Sequence, residues 1–553
     1  MKLALGRYAD AVHERAAGLA PAVERIWDRD AGFWGGDAAR QTSVANRLGW
    51  LDVAEQMLAR ADEIEAFADE IVDAGFADAV VLGMGGSSLA PEVLARSIAA
   101  PAGERTVTPH PRLHVLDTTD PATILAVRRA VDIERTLFFV SSKSGTTIEA
   151  NTLLEYFHAE VSAVKPVRAG ENFVAITDDG TPLQRLGADK GFRRVFVNPS
   201  DIGGRYSALS YFGLVPAAVA GVDIRRLLGR GVAEAARSKE QGSDALTLGA
   251  ALGELTLAGR DKCTLILSPG IAAFGLWAEQ LIAESTGKEG RGILPVDGEP
   301  LGSPAHYGDD RFFVYLRLEA DNSGHTDATV GALQADGFPV ITIDLDDVYD
   351  LGREFFRWEF AVALAGHILG INPFDEPNVK ESKDNTSRVL RDFESTGRFD
   401  DHPSTGPLTA IRTLAATLAP PAYLAITAYV LPTNELAGAL HDLRSKLRDT
   451  RRTATTLGFG PRFLHSTGQL HKGGPSQGSF LQITADEAED LPIPGRPYTF
   501  GQLKRAQAIG DFESLAAHGR PVVRVLLGST VRESDRQLAA LLIAAAALHD
   551  EKG

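Results

Sequence analysis

The sequence predicts an α/β protein built on doubly wound parallel sheets, and three observations carry that prediction. Short apolar runs rich in Val, Ile, Leu and Phe recur at residues 79–82, 113–116, 137–140, 173–177 and 195–197. Helix-compatible segments at 121–131, 148–157 and 182–189 alternate with them, which implies parallel strands with helices on both faces. A second region of this kind starts at residue 264, with strand-like runs at 264–267, 312–317 and 339–345. At 553 residues the chain is too long for one core. The predicted division is a helical leader over 1–76, a first sheet domain over 77–240, a second over 241–400, and a C-terminal α/β extension of the second domain over 401–553.

Composition narrows the function classes. Hydrophobic residues at 44% and charged residues at 23% are ordinary for a soluble globular chain. The formal net charge of −17 argues against nucleic acid or an anionic membrane surface as a partner. An anionic ligand must then be held by local donors against the global field. Cys263 is the sole cysteine, which leaves no internal disulfide or cysteine cluster. The first residues lack the apolar core of a signal peptide, and the longest wholly apolar run, 538–548, is too short to span a bilayer. A cytoplasmic enzyme is the expectation.

In chain order, residues 11–27 and 51–71 carry apolar residues at helical spacing and form the leader. Trp27, Trp34 and Trp50 are expected to be packing anchors. The first strand runs into Gly83-Met84-Gly85-Gly86-Ser87-Ser88-Leu89. A dinucleotide fingerprint would need Gly at position 88, and a Walker A loop would need Gly-Lys-Ser/Thr, so neither is present. The glycines still allow close backbone approach to a ligand, and Ser87 offers a hydroxyl. The apolar run 137–140 ends abruptly in Ser141-Ser142-Lys143-Ser144-Gly145-Thr146-Thr147, after which a helix opens. Ligands of open α/β sheets bind at such carboxyl ends, and a helix N-terminus offers free N–H groups to an anion. Hydroxyls of Ser142, Ser144, Thr146 and Thr147 suit a phosphate monoester. The competing explanation is an N-cap cluster, which needs only one or two such residues.

Farther on, Gly203-Gly204-Arg205-Tyr206-Ser207 presents Arg205 from a tight turn at another strand end. Glu284 falls at the end of a helix that includes Leu276, Glu279, Gln280 and Ala283. A carboxylate there faces the unfavourable end of the macrodipole, which raises its pKa and suits a general base. A solvated helix residue explains its spacing equally well. No metal-ligand cluster stands out. Beyond residue 403 the runs 423–429 and 522–527 read as strands, 434–457 and 534–548 as helices, and 492–497 as a loop.

Five motifs occur in one order: Gly83-Met84-Gly85-Gly86-Ser87, Ser142-Lys143-Ser144-Gly145-Thr146-Thr147, Gly203-Gly204-Arg205-Tyr206-Ser207, Ala283-Glu284-Ser285-Thr286-Gly287-Lys288 and Gly370-Ile371-Asn372-Pro373-Phe374-Asp375-Glu376. With Lys383 after them, they resemble the glucose-6-phosphate isomerase family, nearest to the isomerase half of bacterial transaldolase–phosphoglucose isomerase fusions. The resemblance covers roughly residues 45–390. It implies two sugar-isomerase (SIS) domains, a homodimer, a sugar phosphate substrate, and no cofactor or metal. The implied reaction interconverts glucose 6-phosphate and fructose 6-phosphate through an enediolate, a step of glycolysis and gluconeogenesis. By the same resemblance Gly86 and Ser87 contact the sugar, Ser142, Ser144 and Thr147 clamp phosphate, and Lys143 contributes chiefly backbone. Arg205 lies beside the reacting oxygens, Glu284 is the base, and Lys383 assists ring opening. Glu376 stands where the family usually has Gln. Two histidines compete for the ring-opening role: His306 follows Glu284 at the right distance, and His471 lies in a Ser-Thr-Gly-Gln-Leu-His context. Alternatives are a phosphosugar-binding regulator without turnover and an isomerase that also accepts mannose 6-phosphate.

Overall fold

The computed structural model describes residues 1–99, 109–528 and 531–547. The opening strand, β1 (Lys2–Ala4), was expected to belong to a purely helical leader, yet it pairs antiparallel with a strand of the second sheet. Three residues suffice to cover a sheet edge, but carry too little pattern to be read alone. The leader helices that follow bury Trp50 completely and hold Trp34 by an Nε1 hydrogen bond of 2.9 Å to the Ala363 carbonyl. The leader therefore packs onto the second sheet's helices as well as the first's, with Arg15 paired to Glu254.

The first sheet contains β2 (Asp78–Gly83), β3 (Arg112–Leu116), β4 (Thr136–Ser141), β5 (Phe173–Asp178) and β6 (Arg194–Asn198). All its pairings are parallel, in the order β3-β2-β4-β5-β6. Every residue of β2 and β4 is buried, as expected of central parallel strands covered on both faces. Two of its helices start cleanly on capping residues: Asp120 accepts from Thr123 N–H ahead of Pro121, and Thr181 accepts from Gln184 N–H ahead of Pro182. The chain departs from β2 toward β3 on one side and continues to β4 on the other. The break between β2 and β4 is the topological switch point, where open sheets leave a crevice.

The second sheet follows the same plan. β7 (Lys262–Leu267), β8 (Leu294–Val296), β9 (Arg311–Leu318) and β10 (Val340–Leu345) are parallel, in the order β1-β10-β9-β7-β8. The three-residue β8 lies between the predicted strands and is too short and too proline-broken to register as a run.

Residues beyond Pro407 form a third parallel sheet with a hydrophobic core of its own. Its strands are β11 (Tyr423–Tyr429), β12 (Ala454–Phe459), β13 (Gly478–Ala485) and β14 (Val522–Leu527), in the order β12-β11-β13-β14. The helix expected over 434–457 stops at Arg451, because Arg452 turns left-handed at φ 55° and the threonines after it favour a strand. Leu294 and Val296 of β8 pack against Tyr423, Ala425 and Ala454, so the second and third sheets share a small apolar seam.

Candidate active site

The two turns at the first sheet's switch point lie side by side. Gly86 packs so tightly on the Gly203-Gly204 turn that a Cβ there would sit 1.9 Å from the Gly204 carbonyl oxygen. Gly85 has φ +53°, and a Cβ on it would meet the Gln280 amide nitrogen at 2.6 Å. These glycines are needed for the approach of three elements to one point. Ser87 is buried beside them.

In the second turn Ser142 Oγ and Thr147 Oγ1 are 2.9 Å apart, Ser142 Oγ accepts from the Gly145 N–H, and Ser144 Oγ lies 2.9 Å from Thr146 Oγ1. Thr147 occupies the N-cap position of the helix Ile148–Val164 but makes no capping hydrogen bond. Its hydroxyl is turned to Ser142, so capping of this helix does not account for the hydroxyl cluster. Ser144 and Thr146 are exposed. The Lys143 ammonium is drawn away to the Asp178 carboxylate and to the Ser200 carbonyl at 2.9 Å.

Arg205 is buried and fixed on three sides. Nε donates to Ser285 Oγ at 2.8 Å, and Nη2 donates to the carbonyls of Pro373 (2.7 Å) and Asp375 (3.0 Å). Nη1 is left between two carboxylates, Glu376 at 3.0 Å and Glu284 at 3.6 Å. Glu284 lies in the last turn of the helix Phe274–Thr286 and is buried, which removes the reading of it as a solvated residue. Burial raises its carboxyl above the usual range, Arg205 opposes that rise, and the charge of Glu376 adds to it. Gln280, one helical turn earlier, donates from one amide nitrogen to Glu284 Oε2 at 3.1 Å and to the His465 carbonyl at 2.8 Å. Lys288 is buried beside them, bonded to Asp375, and burial together with the Arg205 charge lowers its ammonium to about 8.

Neither predicted ring-opening histidine reaches this cluster. His306 is half-exposed and pairs with Asp449 at 3.2 Å, against the helix Asn434–Arg451. His471 is buried among Tyr423, Phe463 and Phe480, and burial lowers it to about 3, which favours the neutral imidazole. The histidine that does arrive is His465, six residues earlier in the same loop. Its Nε2 lies 3.1 Å from Glu149 Oε1, which also accepts from Gln507 Nε2 at 2.7 Å. Glu149 is buried, yet its carboxyl lies below the usual range: burial pushes it up, and His465 and Lys383 outweigh that. Arg462 docks the loop, pairing with Asp117 and Glu92 at 2.7 Å each. His465, Glu149, Gln507, Thr146 and Lys383 line one hollow of about 120 Å³. Lys383 is presented there by the helix Pro377–Thr396, which starts on Pro377 and stops at left-handed Gly397.

Glu149, Gln280, His465 and Gln507 went unrecognised in the sequence. Glu149 could have been found, because it stands in the first turn of the helix that the phosphate turn opens. His465 heads the Ser-Thr-Gly-Gln run that drew attention to His471.

A hydroxyl-rich turn at a switch point, beside a buried carboxylate held by arginine, defines an α/β protein for small anionic ligands. A profile of the family described as phosphoglucose isomerase matches residues 52–243. A glucose-6-phosphate isomerase of Rubrobacter xylanophilus is 31% identical over 367 residues, covering 57% of this chain and 83% of that one. A probable glucose-6-phosphate isomerase of Methanococcus maripaludis is 26% identical, covering 62% of this chain and 84% of the other. The crystal structure of a glucose-6-phosphate isomerase from Chlamydia trachomatis superposes with a TM-score of 0.56 at 20% identity, over 68% of this chain and 86% of that one, and shares the fold. The chain belongs to the phosphoglucose isomerase family.

Proposed function

We propose that the protein is a glucose-6-phosphate isomerase interconverting glucose 6-phosphate and fructose 6-phosphate. The observation that carries this reading is the convergence of Glu284 on Arg205 next to a hollow shared by His465, Glu149 and Lys383 and bordered by the hydroxyl turn. The turn of Ser142, Ser144, Thr146 and Thr147 anchors the phosphate and orients the sugar. His465 passes a proton to the ring oxygen as the ring opens, with ionised Glu149 stabilising the imidazolium and Lys383 adding a second cation nearby. Glu284 then removes the proton from C2 and returns it to C1. Arg205, already fixed by Ser285, Pro373 and Asp375, stabilises the charge that develops on the enediolate oxygens without having to reorganise.

The proposal includes the division into a leader, two isomerase domains and a C-terminal α/β unit, a homodimeric working form and a cytoplasmic location. The net charge of −17 and the lack, among the described residues, of a helix long and apolar enough to cross a membrane support the last of these. The test is a coupled assay of fructose 6-phosphate conversion. Glu284→Gln should lower kcat about 10³-fold with little change in KM. Unchanged turnover in that variant would remove Glu284 as the base, and binding without turnover in the unaltered protein would make it a regulator.

A further inference from the structure

The third sheet has a switch point of its own, between β11 and β13, and the proposed mechanism does not use it. A cavity of about 530 Å³ opens there, at the carboxyl ends of β11, β13 and β14. Tyr429, the last residue of β11, is 1% exposed, and its hydroxyl has no hydrogen-bond partner. An unpaired buried hydroxyl is costly unless something bonds to it. Thr484, Asp486 and Gln502 add polar groups to the lining.

The charges of the wall decide what would fit. Four cations, Arg398, Lys504, Arg505 and Arg524, face four acids, Asp401, Asp486, Glu487 and Asp490. Most are already matched: Arg505 and Arg524 with Asp401, and Lys504 with Glu487 and Asp120. A phosphate would therefore find no net attraction. A flat base would find no open aromatic face, because Phe399 stacks on Phe393 at 4.3 Å and carries Arg505 on its ring at 5.1 Å. What remains is a set of hydroxyl, amide and carboxylate groups in a space of sugar size.

The cavity wall is linked to each partner of the Glu149–His465 pair through one intermediate residue, Gln507 for Glu149 and Phe463 for His465. Lys504, Arg505 and Ala508 line it from the helix Phe500–Ala517, and Gln507 of that helix donates to Glu149. Tyr429 packs on Phe463 at 5.4 Å, two residues before His465. We propose that this cavity is an effector site for an uncharged, hydroxyl-rich small molecule, an unphosphorylated sugar, whose binding is coupled to the sugar-phosphate site through the helix Phe500–Ala517 and Phe463. The coupling rests on the isomerase reading; the binding does not.

Calorimetric titration of the intact protein with maltose and with glucose tests it, the sugar-phosphate site being filled with sorbitol 6-phosphate, which has no carbonyl to enolise. One neutral sugar should bind per chain, and Tyr429→Phe should weaken it roughly tenfold. The same variant, without sugar, should keep its kcat/KM and not lose Tm, because it removes an unpaired hydroxyl and little else. Thr484→Val should weaken binding to a smaller degree. Sorbitol 6-phosphate affinity should shift when the sugar is added, and by linkage the sugar's affinity should shift by the same factor. Failure of both sugars to bind, binding unaltered in both variants, binding of inorganic phosphate alone, or equal affinities with and without the second ligand would overturn the proposal. Sugar binding with no uptake of sorbitol 6-phosphate would instead defeat the isomerase reading and remove the coupling with it.

Discussion

The first and third sheets set their first four strands in the same order and differ in what they place at its break. In the first, β2 and β4 end in glycine and hydroxyl turns whose donors come from one short stretch of chain. In the third, β11 and β13 end in a cavity walled by paired charges, while the catalytic candidate His465 leaves the sheet after β12 and reaches across to the helix Ile148–Val164 beside the first sheet. The same frame thus serves once as a ligand cradle made by local sequence and once as a scaffold that delivers a side chain to a neighbour. The difference teaches that a site made of contiguous residues announces itself, and a site made by docking does not.

Six substitutions would break or sharpen that contrast. His465→Ala should lower turnover of the cyclic substrate about 10²-fold or more, whereas His306→Ala should leave it unchanged; steady-state assays of the two variants decide between them. His471→Ala should act on stability instead, lowering Tm through the gap it leaves among Tyr423, Phe463 and Phe480. Arg462→Met leaves Asp117 and Glu92 without their shared partner, and should cost about tenfold in kcat by loosening the loop. Ser144→Ala, on the locally built side, should raise KM several-fold and lower kcat less, since exposed hydroxyls exchange readily with water. The smallest effect is a displacement on the pH axis. Glu284 must be ionised to act and its pKa is raised, so activity falls as pH drops through that raised value. Glu376→Gln removes a like charge beside it, and the acid limb of kcat/KM should move to lower pH.

The central strands of the first sheet were legible because an unbroken apolar run has few alternatives when glycines and hydroxyls end it. Arg205 and Glu284 were legible as candidates, though their mutual approach was not, since Ser285 and the carbonyls of Pro373 and Asp375 set it. β1 and β8 are too short to show a period. β12 was absorbed into the preceding helix because only the left-handed turn at Arg452 separates them, and arginine gives no sign of one. His465 was missed for a different reason: its role depends on Arg462 meeting Asp117 and Glu92, and on Glu149, all more than 300 positions away in the chain.

The hollow shared by Thr146, Lys383 and His465 is assembled from three stretches of chain that are far apart in sequence. Secondary structure within each stretch forms from near neighbours, but the hollow exists only after long loops have closed and the sheets have docked. Refolding from denaturant should therefore show helical circular dichroism returning well before enzymatic activity. The lag between the two signals measures the docking of the third sheet.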